Sequence, residues 1–284
     1  MILLALLLAQ SGGPALDLAP RLNPTQPRLG DLLELAWPGS RLRSVEAFGC
    51  RYAALGNVAL IAIPTDTSTG AHTLLLQVPE GVKRVGFRVR PREVKVTELS
   101  VDRKFTGRRS PELQARLDGE AERIQRMWRA PPRAEGAPEI LGAAFRPVPG
   151  RVSSRFGNQR RFNGKLKSEH YGLDLRGRTG TRIRAPLSGV VALSEDRWGS
   201  GGTVYLDHGA GLLTGYFHLS ERGVEAGDRV QAGQEIGAVG ATGRVTGPHL
   251  HWAAALRCQK PDGGYRGMYV DPEPLLRDGG AQLR

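Results

Sequence analysis

Only one stretch of this chain, SPELQARLDGEAERIQRMW (residues 110–128), carries helical periodicity. Ser110 can cap it, Pro111 suits the first helical position, and Glu112 falls in the first turn, where the helix dipole favours negative charge. Leu113, Leu117, Ile124 and Trp128 then share one face. The sequence on both sides reads as short strands and turns. That pattern restricts the chain to a mainly β fold with one connecting amphipathic helix.

Before the helix, Leu33, Leu35 and Trp37 alternate with polar or small neighbours, and VALIAIP is an apolar run closed by proline. HTLLLQVPEG runs into a turn, after which Val85, Phe87 and Val89 alternate with Arg84, Gly86, Arg88 and Arg90. Repeated strand and turn signals at this spacing predict a β-sandwich-like domain over residues 20–100. The segment RAPPRAEGAPEILG has linker composition, so residues 101–140 read as helix plus linker. Residues 141–284 read as a second all-β domain, built from units such as APLSGVVALSED, GGTVYLDHGAG and LTGYFHLSE.

The net charge of +12 and the pI near 10.4 come mostly from arginine and suit a polyanionic environment. Aromatic residues are sparse and do not alternate with basic ones in the way that stacks single-stranded bases, so nucleic acid is not an expected partner. At the N-terminus, MILLALLLAQSGGPALDLAP holds an apolar run from Ile2 to Ala9. It falls short of the ~20 residues a bilayer span needs. It resembles a clipped secretory signal peptide, although no Lys or Arg precedes the apolar run. Residues 1–16 are therefore expected to be a signal peptide, the protein is expected in the periplasm, cell envelope or extracellular space, and the mature chain is expected to hold no integral membrane segment. Cys50 and Cys258 are too few for a disulfide framework or a structural zinc site. They read as two small buried hydrophobes in different domains. The oligomeric state is left open.

The chemistry lies in the histidines. In TGPHLHWAAAL, His249 and His251 stand two apart in an apolar run, so on a strand both project from the same face. His170 and Asp174 in EHYGLDL are four apart, which on a strand also places them on one face. His, carboxylate and His form a ligand set for catalytic zinc that leaves a fourth position for water. There is no H-E-x-x-H, which excludes a helical zincin. His72 reads as a strand-surface residue and His208, in the turn LDHGAG, as structural.

In order along the chain come SRFGNQRRFNGKLKSEHYGLDL, APLSGVV, YLDHGAGLLTGYFHLS, VEAGDRVQAGQEIGAVGATGRVTGPHLHW and VDPEPLL. This series, over about residues 145–276, resembles the lysostaphin-like family of zinc metallopeptidases, which cut peptide bonds in bacterial peptidoglycan. The strand-rich front half and its helix also look like the N-terminal module some exported members carry. The resemblance implies one zinc ion per chain held by His170, Asp174 and His251. It implies that His218, in YFHLS, and His249 flank the attacking water as catalytic residues, without saying which is the base. Asn163, in RFNG, matches a position that lines the cleft in relatives, and a turn residue before glycine reads equally well. The arginine- and lysine-rich run from Arg151 to Arg184 is either a solvated face or an attractor for a carboxylate-rich polymer.

Three rivals bear on this reading. A catalytically silent member would bind the wall and regulate other hydrolases, but all five site residues are present. APLSGVV with VEAGDRVQAGQ also echoes biotinyl and lipoyl carrier hairpins, yet no lysine occurs between Leu187 and Leu256 to be modified. Nucleic-acid binding rests on charge alone. The expected partner is peptidoglycan. The bond cut, and whether the front half inhibits or targets, stay open.

Overall fold

The computed structural model describes residues 19–99, 109–133, 143–162 and 164–276. The expected signal peptide, Asn163 and linker residues 134–140 lie outside the described residues. The front half contributes β1 (Arg21–Asn23), β2 (Leu32–Ala36), β3 (Ser44–Ala47), β4 (Cys50–Leu55) and β5 (Val58–Ala62). It continues through β6 (Gly70–Val78), β7 (Gly81–Val89) and β8 (Val96–Leu99) to the helix α1 (Pro111–Arg129). Next come β9 (Val152–Ser154), β10 (Gln159–Phe162), β11 (Lys165–Glu169), β12 (Leu173–Arg176), β13 (Arg182–Arg184) and β14 (Gly189–Arg197). The chain closes with β15 (Gly201–Asp207), β16 (Leu212–Arg222), β17 (Arg229–Val230), β18 (Glu235–Val239), β19 (His249–Gln259) and β20 (Tyr265–Val270). The architecture is mainly β, and Ser110 caps α1 by accepting a hydrogen bond from the Leu113 amide at 3.2 Å.

Strand β19 organises the second half. It pairs antiparallel with β12 on one side and with β16 and β20 along its length. Its side chains alternate between two faces. Leu250, Trp252, Ala254, Leu256 and Cys258 point into the main core, a continuous cluster that also holds Leu32, Ile61 and Leu76 of the front half. Ala253 and Ala255 point the other way, into a smaller cluster with Met127 and Trp128 of α1, Tyr205, Leu213 and Phe217. Trp128 meets the rings of Tyr205 and Tyr269 edge-on at 5.9 and 5.7 Å. Gly267 makes room for it, since a Cβ there would lie 2.0 Å from the indole. Arg257, on the same face as Ala253 and Ala255, is buried against Asp207 and donates to the carbonyl of Ala130 at 3.2 Å, fastening the end of α1 to the sheet. His249 and His251 begin this face.

The two halves are joined at several points. Arg51 of β4 pairs with Gln259 of β19. β8 runs parallel to β10, which pairs in turn with β11 in a small separate sheet. Arg92 reaches from the front half to Asp271, donating at 2.7 Å, while its other arm binds Asp31. The cysteines correct the sequence reading. Cys50 and Cys258 are buried, but they form a disulfide with Cα atoms 5.6 Å apart across 208 residues of sequence. Sequence distance hid this contact, which the neighbouring β4–β19 pairing brings about.

Candidate functional site

Asp174 and His251 are directly opposed in the β12–β19 ladder, and Phe217 of β16 faces His251 from the other side. The even spacing of His249 and His251 places both on this face, as the strand period requires. His170 arrives differently. It lies before β12, not on it, so the expected strand parity of His170 and Asp174 does not explain their meeting. Its backbone is pinned instead, the amide donating to the Asn158 carbonyl at 2.8 Å and the carbonyl accepting from Gly157 at 2.9 Å. Gly172 lets the segment turn in against His251, because a Cβ there would lie 2.7 Å from the imidazole.

His170 Nε2, Asp174 Oδ1 and His251 Nδ1 form a tight triangle with separations of 2.8, 2.8 and 2.9 Å. His170 Nδ1 faces the Arg155 carbonyl at 2.8 Å, and a carbonyl can only accept, so Nδ1 carries the proton. His170 Nε2 is the ring nitrogen that faces a carboxylate oxygen and a second imidazole nitrogen. Two imidazoles and one carboxylate that converge in this way could hold a metal ion, and this donor set suits one such as zinc. Burial pushes the Asp174 carboxyl upward, but its hydrogen bonds with His170 and His251 outweigh this and hold it well below the usual carboxylate range. Burial likewise pushes His251 down to about 4. Asp174 Oδ2 is taken by Arg160 Nη2 at 2.5 Å, leaving Oδ1 to face the triangle.

Two further histidines border this cluster. His218 and His249 have ring centroids 5.1 Å apart, and His249 Nε2 lies 3.7 Å from Asp174 Oδ1. Strand parity alone would turn His218 away, since its neighbour Phe217 is the residue opposite His251. A local break re-aims it. His218 has φ +65°, its amide leaves the ladder to bond the Ser200 carbonyl at 2.8 Å, and the β15–β16 register slips just there. His218 Nδ1 faces the Thr242 carbonyl and His249 Nδ1 the Gly247 carbonyl, both at 2.9 Å. Each Nδ1 is thus the donor to its carbonyl. Burial first, then the neighbouring His251 and His249, push His218 down to about 3, so its imidazole is neutral.

All five expected histidine and aspartate residues thus line one cleft of about 1210 Å³. His208 stands apart, buried with its ring nitrogens on the Ser188 carbonyl and the Thr214 hydroxyl. His72 is partly exposed on β6 beside Phe48 and Phe87. Sequence reading missed Gly172, Thr242 and the specific contact of Arg160 with Asp174. The glycine two before Asp174 was the one visible signal, since H-x-G-x-D holds a side-chain-free position beside two ligand types.

A buried two-histidine, one-carboxylate cluster on an antiparallel sheet, with two further imidazoles beside it, is the layout of a metallopeptidase. Residues 168–271 match peptidase family M23, so the second half of the chain carries an M23 peptidase domain. It is 47% identical over 105 residues to the peptidoglycan DD-endopeptidase ShyC of Vibrio cholerae, covering 36% of this chain and 24% of that one. It is 37% identical over 114 residues to the glycyl-glycine endopeptidase ALE-1 of Staphylococcus capitis, covering 39% of this chain and 30% of that one. The chain thus spans less than a third of the length of either relative. A solved structure of a peptidase M23 protein from Pseudomonas aeruginosa aligns with 88% of this chain and 95% of its own, with a TM-score of 0.66 and 27% identity. That alignment takes in both halves of the fold.

Proposed function

We propose that this protein is a zinc-dependent endopeptidase that hydrolyses peptide cross-links or stem peptides of bacterial peptidoglycan, and that it works outside the cytoplasm. The observation that carries the reading is the triangle of His170 Nε2, Asp174 Oδ1 and His251 Nδ1, converging at 2.8–2.9 Å beside the imidazoles of His218 and His249. His170, Asp174 and His251 would hold one zinc ion. When bound, the ion lowers the pKa of water and polarises the scissile carbonyl.

The remaining work falls to the chain's own groups. His218, kept neutral by burial, and His249 both line the cleft, and a ring in its neutral form can accept a proton from the attacking water. Their separation of 5.1 Å disfavours two positive charges at once, so one ring acts as base, taking the water proton at Nε2 and then returning it to the leaving amine. The carbonyls of Thr242 and Gly247 hold both rings in the tautomer this requires. The names of the relatives support peptidoglycan as substrate, and the Cys50–Cys258 disulfide supports an oxidising compartment. Among the described residues no helix is long and apolar enough to cross a membrane.

The test is digestion of purified peptidoglycan by the full chain, with mass spectrometry of the released peptides. Wild-type protein should release peptides ending at one defined bond. His218→Ala should retain metal and lose at least about 100-fold in rate, the scale of general acid–base catalysis. Equal rates for the variant and the wild type would remove His218 from the mechanism.

A further inference from the structure

The helix α1 buries an acid. Of its residues only Glu120, Met127 and Trp128 are buried, while the apolar Leu113, Leu117 and Ile124 stay partly exposed. Met127 and Trp128 join the smaller apolar cluster. Glu120 is 3% exposed and reaches instead to the turn between β14 and β15. There its Oε1 and Oε2 both accept from the Trp198 amide, at 3.0 and 3.2 Å, and Oε1 also accepts from Arg116 Nε at 2.9 Å. In the other direction Arg197 Nη1 donates to the Glu120 carbonyl at 3.0 Å. Burying a carboxylate is costly, and an apolar residue in its place would dock the helix at least as well.

That turn borders the site. Gly199 and Ser200 line the cleft together with His218. The Ser200 carbonyl accepts from the His218 amide at 2.8 Å, the bond that takes His218 out of the ladder. The Gly199 carbonyl accepts from the Arg244 amide at 2.8 Å, and the Gly202 amide donates to the Thr242 hydroxyl at 3.0 Å. The two segments touch closely, since a Cβ on Gly201 would lie 2.1 Å from Thr242 Oγ1 and one on Gly243 would lie 2.5 Å from the Gly201 nitrogen. Thr242 in turn holds the His218 ring through its carbonyl. Both handles on His218, the backbone amide and Nδ1, thus rest on this turn and on what packs against it. The sequence there is WGSGG, whose glycines give the turn little stiffness of its own.

We propose that Glu120 is a positioning residue for His218: it anchors the β14–β15 turn from outside, so that the connecting helix sets the geometry of an imidazole in the cleft. The proposal rests on the peptidase reading only for what His218 does. An anchor on the Trp198 amide fixes the start of the turn, two residues before the carbonyl that holds His218. A loosened turn would free the His218 backbone from φ +65°, a value that an L side chain keeps only where its surroundings impose it.

Glu120→Ala in the full chain tests this, with Ile124→Ala as the comparison, because Ile124 belongs to the apolar packing of the same helix. Hydrogen exchange read by NMR at the His218 amide should quicken at least about tenfold in Glu120→Ala, while amides in the rest of β16 keep their wild-type rates. On a soluble cross-linked muropeptide, kcat should fall about 10–100-fold, with KM nearly unchanged and the metal content intact. Glu120→Gln, which keeps an oxygen for the Trp198 amide, should recover most of the protection and most of the rate. Ile124→Ala should lower the melting temperature and leave both as they are. Equal effects of Glu120→Ala and Ile124→Ala would overturn the proposal, as would wild-type exchange at His218 in Glu120→Ala. If Glu120→Ala does not fold, Glu120→Asp, whose carboxylate stops one methylene short of the turn, takes its place with the same two outcomes. If the wild type leaves the muropeptide uncut, the peptidase reading falls, and the exchange rates alone decide for or against Glu120.

Discussion

Two buried polar clusters in this molecule contain similar groups and do opposite things. In the first, Arg92 lies between Asp31 and Asp271, with side chains 9%, 3% and 4% exposed, and its Nε donates to the Leu29 carbonyl at 2.7 Å. Every charge there faces its complement. Burial raises the Asp31 carboxyl, opposed by the Arg28 amide and by Arg92. In the second, ring nitrogens of His170 and His251 and a carboxylate oxygen of Asp174 converge within 2.9 Å. A buried cluster that is complete within itself holds the fold together, here by tying the front half to the last strand's end. A cluster of two imidazoles and one carboxylate converging on one point is suited instead to holding a metal ion.

Breaking the complete cluster should have the largest effect on stability. Arg92→Ala leaves two buried carboxylates facing each other and should cost about 3–5 kcal/mol in a urea titration. The molecules that remain folded should bind as much metal as the wild type. A change in metal content without a loss of stability would reverse the roles assigned to the two clusters.

The disulfide joins the same two halves without touching the triangle. Replacing both Cys50 and Cys258 with Ser should lower stability by about 2–5 kcal/mol, read from the same titration. Below the new transition, peptide cleavage should proceed at the wild-type rate, because Cys258 faces the main core and the histidines face the other way.

A smaller effect sharpens the comparison from the other side. Arg160 binds Asp174 Oδ2, on the edge of the carboxylate that faces away from the triangle. Arg160→Gln should therefore weaken metal binding by about 10–100-fold, as loss of an outer hydrogen-bond partner does, and leave the urea midpoint of the metal-free protein nearly unchanged. Competition with a chelator of known affinity measures the first quantity. An unaltered metal affinity would leave Arg160 no part in the metal site.

These clusters also differ in how far the sequence discloses them. The pairing of His249 with His251 follows from strand period, and the all-β character with one helix follows from where helical periodicity occurs. His218 does not follow, because a positive-φ residue and a register slip turn its ring against the period. His170 meets Asp174 from a loop whose path is set by Gly172 and by backbone bonds to Gly157 and Asn158, so even spacing on a strand is not what brings the two together. The motifs carried the resemblance that supplied both. Nothing local announced Arg92 with Asp271 or Cys50 with Cys258, contacts spanning 179 and 208 residues. Such pairings depend on which strands lie side by side, and periodicity within a segment holds no information about that.

The central claim is that the converging triangle is a metal site. Elemental analysis of the purified full chain, set beside His251→Ala, tests it most directly. The account predicts one zinc per chain in the wild type and none retained in the variant, whose two remaining groups hold the ion too weakly to survive purification. A variant that folds and keeps a full equivalent of zinc, or a wild-type chain that binds none when zinc is supplied, would contradict it.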